Sequence, residues 1–191
     1  PAPGADGLPT EPILRLETGM HTGPIKRISV DQAGDLLITA SDDKTLRLWT
    51  LADGNLSKTL RIPIGEGEEG RLYAAALSPD GQWIAAGGAT KAGSEGPGNY
   101  HLYLFDRVSG ELRQHLLGLP NVINHLCFSR DGGYLAASLG GDGIRVWATD
   151  GWRQVASDSE YGDASHWCDF DAKGHLVTSS LDGQIRLYDG Q

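Results

Sequence analysis

Leu36-Leu37-Ile38-Thr39-Ala40-Ser41-Asp42-Asp43-Lys44-Thr45-Leu46-Arg47-Leu48-Trp49 holds two short apolar runs, split by a polar turn and closed by an aromatic residue. Two such runs around a tight turn read as a β-hairpin. Just upstream, Ile28-Ser29-Val30 and the turn Gln32-Ala33-Gly34 add a further strand. The same order of elements returns from Ala75-Ala76-Leu77 to Phe105, from Leu126-Cys127-Phe128 to Trp147, and from Cys168-Asp169-Phe170 to Tyr188. The first-turn glycines Gly34, Gly81, Gly132 and Gly174 are 47, 51 and 42 residues apart. Self-similarity at this period marks a modular all-β array. The long second unit is explained by Gly87 to Asn99, which reads as a glycine-rich surface loop spliced into a turn and not as a fifth strand.

A full unit holds four strands. In the first they run over Ile25–Val30, Leu36–Ser41, Thr45–Trp49 and Leu56–Leu60, with turns at Asp31–Gly34, Asp42–Lys44 and Ala52–Asn55. Runs such as Trp83-Ile84-Ala85-Ala86 are apolar on both faces. A sheet with one wet face would alternate, so each sheet is expected to be covered on both sides.

The chain has 191 residues and a net charge of −9. That balance argues against nucleic-acid binding, which needs a basic face, and against anionic membranes. No apolar run approaches a spanning helix. Residues 1–12, with four prolines, read as a disordered lead-in. The first residue, Pro1, fits a removed export signal, a trimmed Met or a cloning boundary equally. The expectation is a soluble chain, cytoplasmic or exported to a periplasm. Cys127 and Cys168 fall on adjacent units but one position out of register, which points them to opposite faces of their strands. Unlike faces of neighbouring sheets meet, so a contact is conceivable; two separate buried thiols are the expectation.

Thr39 to Trp49, and Ser180-Leu181-Asp182-Gly183-Gln184-Ile185-Arg186-Leu187-Tyr188-Asp189, resemble the signature ending of the WD-repeat family. The resemblance covers residues 13–191, with a degenerate final dipeptide: Trp49-Thr50, Phe105-Asp106, Trp147-Ala148 and Tyr188-Asp189. It implies a β-propeller with four blades visible in this chain, in approximate units 13–60, 61–116, 117–157 and 158–191. It implies a non-catalytic protein-interaction scaffold without cofactor. The set also resembles the propeller region of bacterial proteins that join such repeats to a caspase-like peptidase, which implies a regulatory region of a larger effector. The family's structural tetrad maps onto His21, Thr39, Asp43 and Trp49. The fourth unit keeps Thr178 and Asp182 but has Tyr161 and Tyr188 in place of His and Trp. The third has Trp147 and a turn one residue short; the second lacks both His and Asp. Only the first blade is expected to carry the full network, and the second to be the least rigid.

Little else in the sequence offers chemistry. His21, Thr39 and Asp43 resemble a catalytic triad only by residue type, because Thr39 sits inside an apolar strand without an oxyanion site. Glu66, Glu68 and Glu69 read as a solvated acidic loop. His115, His125, His166 and His175 show no zinc spacing with cysteine and read as surface or edge histidines, so no metal site is expected. Asp169 and His166 are the only inner-strand candidates for a metal-dependent propeller hydrolase, and two ligands are too few. Lys26, Tyr73, Asn124 and His166 occupy equivalent positions, four residues before the second core position of each inner strand. They are expected to ring one end of the axis as a protein-binding rim, bordered by Asp42, Leu181 and residues 87–99. Closure of the ring is left open. Ile13–Leu16 reads as an outer strand without its blade, and the fourth unit lacks its outer strand. A longer propeller, a second copy completing the ring, and four blades closing alone all fit.

Overall fold

A computed structural model describes residues 19–91 and 99–189. The proposed lead-in and the Ile13–Leu16 strand lie outside the described residues, as does most of the Gly87–Asn99 segment.

Fifteen strands and no helix make up the described chain. The first antiparallel sheet holds β1 (Ile25–Val30), β2 (Leu36–Ser41), β3 (Thr45–Thr50) and β4 (Leu56–Arg61). The second holds β5 (Arg71–Leu77), β6 (Trp83–Ala89), β7 (Tyr100–Asp106) and β8 (Leu112–Leu119). The third holds β9 (Ile123–Phe128), β10 (Tyr134–Leu139), β11 (Ile144–Ala148) and β12 (Arg153–Asp158). The fourth has three strands, β13 (Ser165–Phe170), β14 (Leu176–Ser180) and β15 (Ile185–Tyr188). In each sheet the strands lie side by side in chain order. This is an all-β architecture of the partial β-propeller kind, with β1, β5, β9 and β13 as inner strands.

The sheets adhere through their apolar faces. Ile38, Leu46 and Leu48 of the first meet Leu72, Ile84 and Phe105 of the second. Leu102, Leu104 and Leu116 meet Ile123, Leu126 and Leu135 of the third. Ile144 and Val146 meet Cys168, Phe170 and Leu176 of the fourth. Among the described residues, the first and fourth sheets carry exposed apolar side chains, Ile28 and Val30 on the one and Leu181, Ile185 and Leu187 on the other.

Three expectations need correction. Gly87, Gly88 and Ala89 are not loop: they complete β6, and both glycines are buried. A close approach explains the glycine at 87, since a Cβ there would stand 2.9 Å from the Ile123 side chain of the next sheet. His125 is not a surface histidine but is 7% exposed at the junction of the third and fourth sheets. Cys127 and Cys168 are buried, as free thiols, yet they are not separate: their sulfurs are 3.1 Å apart.

The first sheet carries a one-way hydrogen-bond chain. The Trp49 indole N–H donates to Thr39 Oγ1 at 3.0 Å, Thr39 Oγ1 lies 2.7 Å from His21 Nε2, and His21 Nδ1 lies 2.8 Å from Asp43 Oδ2. The fourth sheet builds another from different groups. Thr178 Oγ1 meets the Tyr161 hydroxyl at 2.6 Å, Tyr161 meets the Tyr188 hydroxyl at 2.8 Å, and Tyr188 donates to Asp158 Oδ2 at 2.6 Å. Burial and the bond to Asp158 hold the Tyr188 hydroxyl far above the usual phenol range. Tyr188→Phe removes the link between Tyr161 and Asp158, and is expected to destabilise by about 1–2 kcal/mol in urea unfolding. A loss below about 0.5 kcal/mol would mean that solvent already satisfies both partners.

Candidate protein-binding rim and the Arg27 stack

The four equivalent polar residues share a structural cause. Each inner strand pairs regularly with its neighbour except at one point, and that point is the same in all four sheets. The register slips between Ile25 and Arg27, between Leu72 and Ala74, between the partners of Ile123 and His125, and between Ser165 and Trp167. The residues skipped are Lys26, Tyr73, Asn124 and His166. A β-bulge leaves its extra residue outside the ladder and re-aims its side chain. The bulge therefore gives all four side chains equivalent positions on their inner strands.

Their surroundings differ. Lys26 Nζ reaches Asp42 Oδ2 at 3.3 Å and remains substantially exposed. Tyr73 is half-buried; desolvation, then the charges of Glu68 and Asp42, push its hydroxyl up. Asn124 donates from Nδ2 to the Ser165 carbonyl at 3.0 Å, tying the third sheet to the fourth. His166 is exposed. Leu181 is exposed beside Ala164, to whose carbonyl its N–H donates at 3.0 Å. Part of the border expected from residues 87–99 lies outside the described residues.

The residues that follow the bulges share no residue type from unit to unit. These residues are Arg27, Ala74, His125 and Trp167. Bulging frees strand carbonyls from the ladder, and a buried carbonyl needs a donor. Arg27 supplies it twice: Nη2 donates to the Asn124 carbonyl at 3.2 Å and Nε to the Tyr73 carbonyl at 3.5 Å. Its guanidinium lies 4.5 Å from the centre of the Trp167 ring, which stacks on His125 at 4.0 Å and 19°. One arginine on the first inner strand thus engages the other three. Such a cation–π contact favours the geometry by roughly 0.5–2 kcal/mol. A sequence signal existed, since Arg27 follows a rim position, but its partners are backbone groups that no side-chain pattern reveals.

Behind this stack lies an axial channel of about 440 Å³, lined by residues of all four inner strands, among them Ile28, Ala75, Cys127 and Asp169. On its wall Cys127 donates to the Cys168 sulfur, and His125 Nδ1 lies 3.5 Å from that same sulfur. Burial alone would push the Cys168 thiol up, but hydrogen bonds from Cys127 and His125 outweigh it and hold Cys168 below the usual thiol range. Burial and the bond to Cys168 raise Cys127. Asp169 and His166, the inner-strand ligand candidates from sequence, are exposed and take no part in this cluster, whose members are His125, Cys127 and Cys168.

Comparison with known proteins agrees with the architecture. The family model described as "WD domain, G-beta repeat" matches residues 13–50, 56–91, 108–148 and 163–189. A protein HIR1 of Cryptococcus neoformans is 35% identical over 85 residues, covering 44% of this chain and 9% of its own. A guanine nucleotide-binding protein subunit beta of Arabidopsis thaliana is 30% identical over 140 residues, covering 71% of this chain and 34% of its own. A small ribosomal subunit protein RACK1y of rice is 30% identical over 129 residues, covering 66% and 34%. The chain therefore spans between about a tenth and a third of the length of these relatives.

Proposed function

This chain belongs to the WD-repeat family, and from that premise we propose that it is a non-catalytic protein-interaction scaffold whose contact surface is the bulge rim. Two of its relatives are named as subunits of larger assemblies, a guanine nucleotide-binding protein and a small ribosomal subunit. The observation behind this reading is the coincidence of four bulges with four polar side chains at equivalent points of the inner strands, a set that would ring one mouth of the axis. The rim groups stand on strands paired into sheets, which limits the ordering entropy that binding costs. Trp167, 49% exposed and next to His166 in the chain, adds an aromatic of the kind that dominates interface energetics.

The test is a photo-crosslinking residue placed in the full-length protein, in its native cells, at His166 or Lys26, with exposed Lys173 at the β13–β14 turn as control. Protein adducts are expected at the rim positions and not at the control, and Tyr73→Ala is expected to reduce them at least about tenfold. Adducts equally strong at Lys173 would move the contact surface away from this mouth. Regulation of a fused effector, such as a caspase-like peptidase, is the narrower form of this proposal. It predicts that the rim adducts are intramolecular.

A further inference from the structure

We propose that His125, Cys127 and Cys168 form a binding site for Zn(II) between the third and fourth sheets. One nitrogen and two sulfur donors, all buried, lie within 4.8 Å of one another. The donor set is that of a borderline-soft d¹⁰ cation, which takes thiolate and imidazole ligands in a tetrahedron. The geometry is close to that demand. With Zn–S bonds of about 2.3 Å, neighbouring ligand atoms of a tetrahedron stand roughly 3.5–3.8 Å apart. His125 Nδ1 and Cys168 Sγ are at 3.5 Å already. The two sulfurs, at 3.1 Å, must part by about 0.6 Å, within reach of small χ1 rotations.

The chain order builds this site. His125 and Cys127 are two residues apart on β9 and share the face that meets the fourth sheet, while Cys168 projects back from β13. The one-position offset between the cysteines, relative to the bulge of each strand, is what makes them converge. Stacking on Trp167 fixes the imidazole plane, and the Cys168 N–H donates to Nδ1 at 3.3 Å, a long bond that a metal ion at Nδ1 would replace. Binding displaces one proton from each cysteine that carries one, and the dication with two thiolates and a neutral imidazole is uncharged overall. A neutral assembly is the form a buried site tolerates best. The fourth position opens on the axial channel, which His125 and Cys127 line.

One neighbour separates this reading from a disulfide. Ser138 is wholly buried, its hydroxyl has no partner at ordinary hydrogen-bond distance among the described residues, and it stands close enough to Cys168 to favour the thiolate. A metal-bound thiolate would accept that hydroxyl, whereas a disulfide sulfur is a poor acceptor and would leave it unsatisfied.

The experiment titrates Co(II), a spectroscopic stand-in for Zn(II), into the reduced, metal-free chain without oxygen. The expected result is one equivalent bound, with an intense thiolate-to-cobalt charge-transfer band that Zn(II) then abolishes. Cys168→Ser and Cys127→Ser, checked for fold by circular dichroism, are expected to lose the band. His125→Gln is expected to shift it and weaken binding at least about tenfold. The wild-type titration decides the matter even where a variant fails to fold. No charge-transfer band from the folded, reduced wild type overturns the proposal. So does a Cys127–Cys168 disulfide that forms in air at the same rate with and without Zn(II).

Discussion

Gly88→Ala is expected to destabilise the protein by about 4 kcal/mol, as large a loss as single substitutions commonly give. Gly88 lies on β6 opposite Leu72, at the point where β5 makes its bulge around Tyr73. A Cβ at this position would stand 2.2 Å from the Arg71 carbonyl oxygen, 2.7 Å from the Tyr73 nitrogen and 2.9 Å from the Leu72 Cα. These are backbone atoms, so no rotamer change relieves the contact. The inner hairpin must move by more than 1 Å or lose the bulge, and the packing of Leu72 and Ile84 against the first sheet forbids an easy shift. Hydrogen exchange should localise the damage: β5 and β6 amides lose protection first, while β10 and β11 keep theirs. A shift in the urea midpoint equivalent to less than about 1 kcal/mol would show that the bulge is softer than its contacts imply. Because the same bulge carries Tyr73, the variant is also expected to lose crosslinks at the rim, linking packing to partner binding.

The second large effect is expected at Asp43. Its carboxylate takes four donors: His21 Nδ1 at 2.8 Å and the Thr22 N–H at 3.0 Å on Oδ2, and the Thr45 N–H at 3.0 Å and hydroxyl at 2.6 Å on Oδ1. Arg47 stands a further 3.9 Å away. Asp43→Asn turns an NH₂ group towards donors on one side and is expected to destabilise by about 3 kcal/mol at pH 7. Desolvation acts to raise the Asp43 carboxyl, but the bonds from Thr45, Thr22 and His21 outweigh it, and the folded value lies below the ordinary one. The sign follows. The stabilisation is fully present above the unfolded value, about 3.9, and is lost as pH falls through the depressed folded value. The gap between wild type and Asp43→Asn is therefore expected to be constant from pH 7 to about 5 and to shrink below pH 4. A gap that persists unchanged at pH 2.5 would assign the effect to packing and not to the charge.

Much of this fold is legible in the chain itself. The period of the glycine turns, the apolar runs on both faces and the aromatic strand ends give four sheets of short strands. The resemblance to the WD-repeat signature picks out His21, Thr39, Asp43 and Trp49, four groups that the structure brings within hydrogen-bond distance. Equivalence alone picks out Lys26, Tyr73, Asn124 and His166, but not why they matter. A bulge is a disagreement between two strands, and a single strand's sequence does not record it. Arg27 escaped notice because its partners are two main-chain carbonyls and an indole, from three different sheets. His125 was misread because its ligand-competent neighbour, Cys168, is 43 residues away in sequence. Conversely, the glycines at 87 and 88 look like loop chemistry, yet they serve close strand packing, a distinction that only the neighbouring Ile123 and Arg71 decide.

The strands of every sheet follow one another without interruption, the first using only residues 25–61. Such local pairing closes short loops, which form quickly compared with long-range β contacts. During synthesis, then, the first sheet can assemble before Arg71 has left the ribosome. Its apolar side waits uncovered until the second sheet arrives, and Arg27 finds its last acceptor only when Trp167 has been made. A single arginine thus latches the first of these four sheets to the fourth only after some hundred intervening residues have been made.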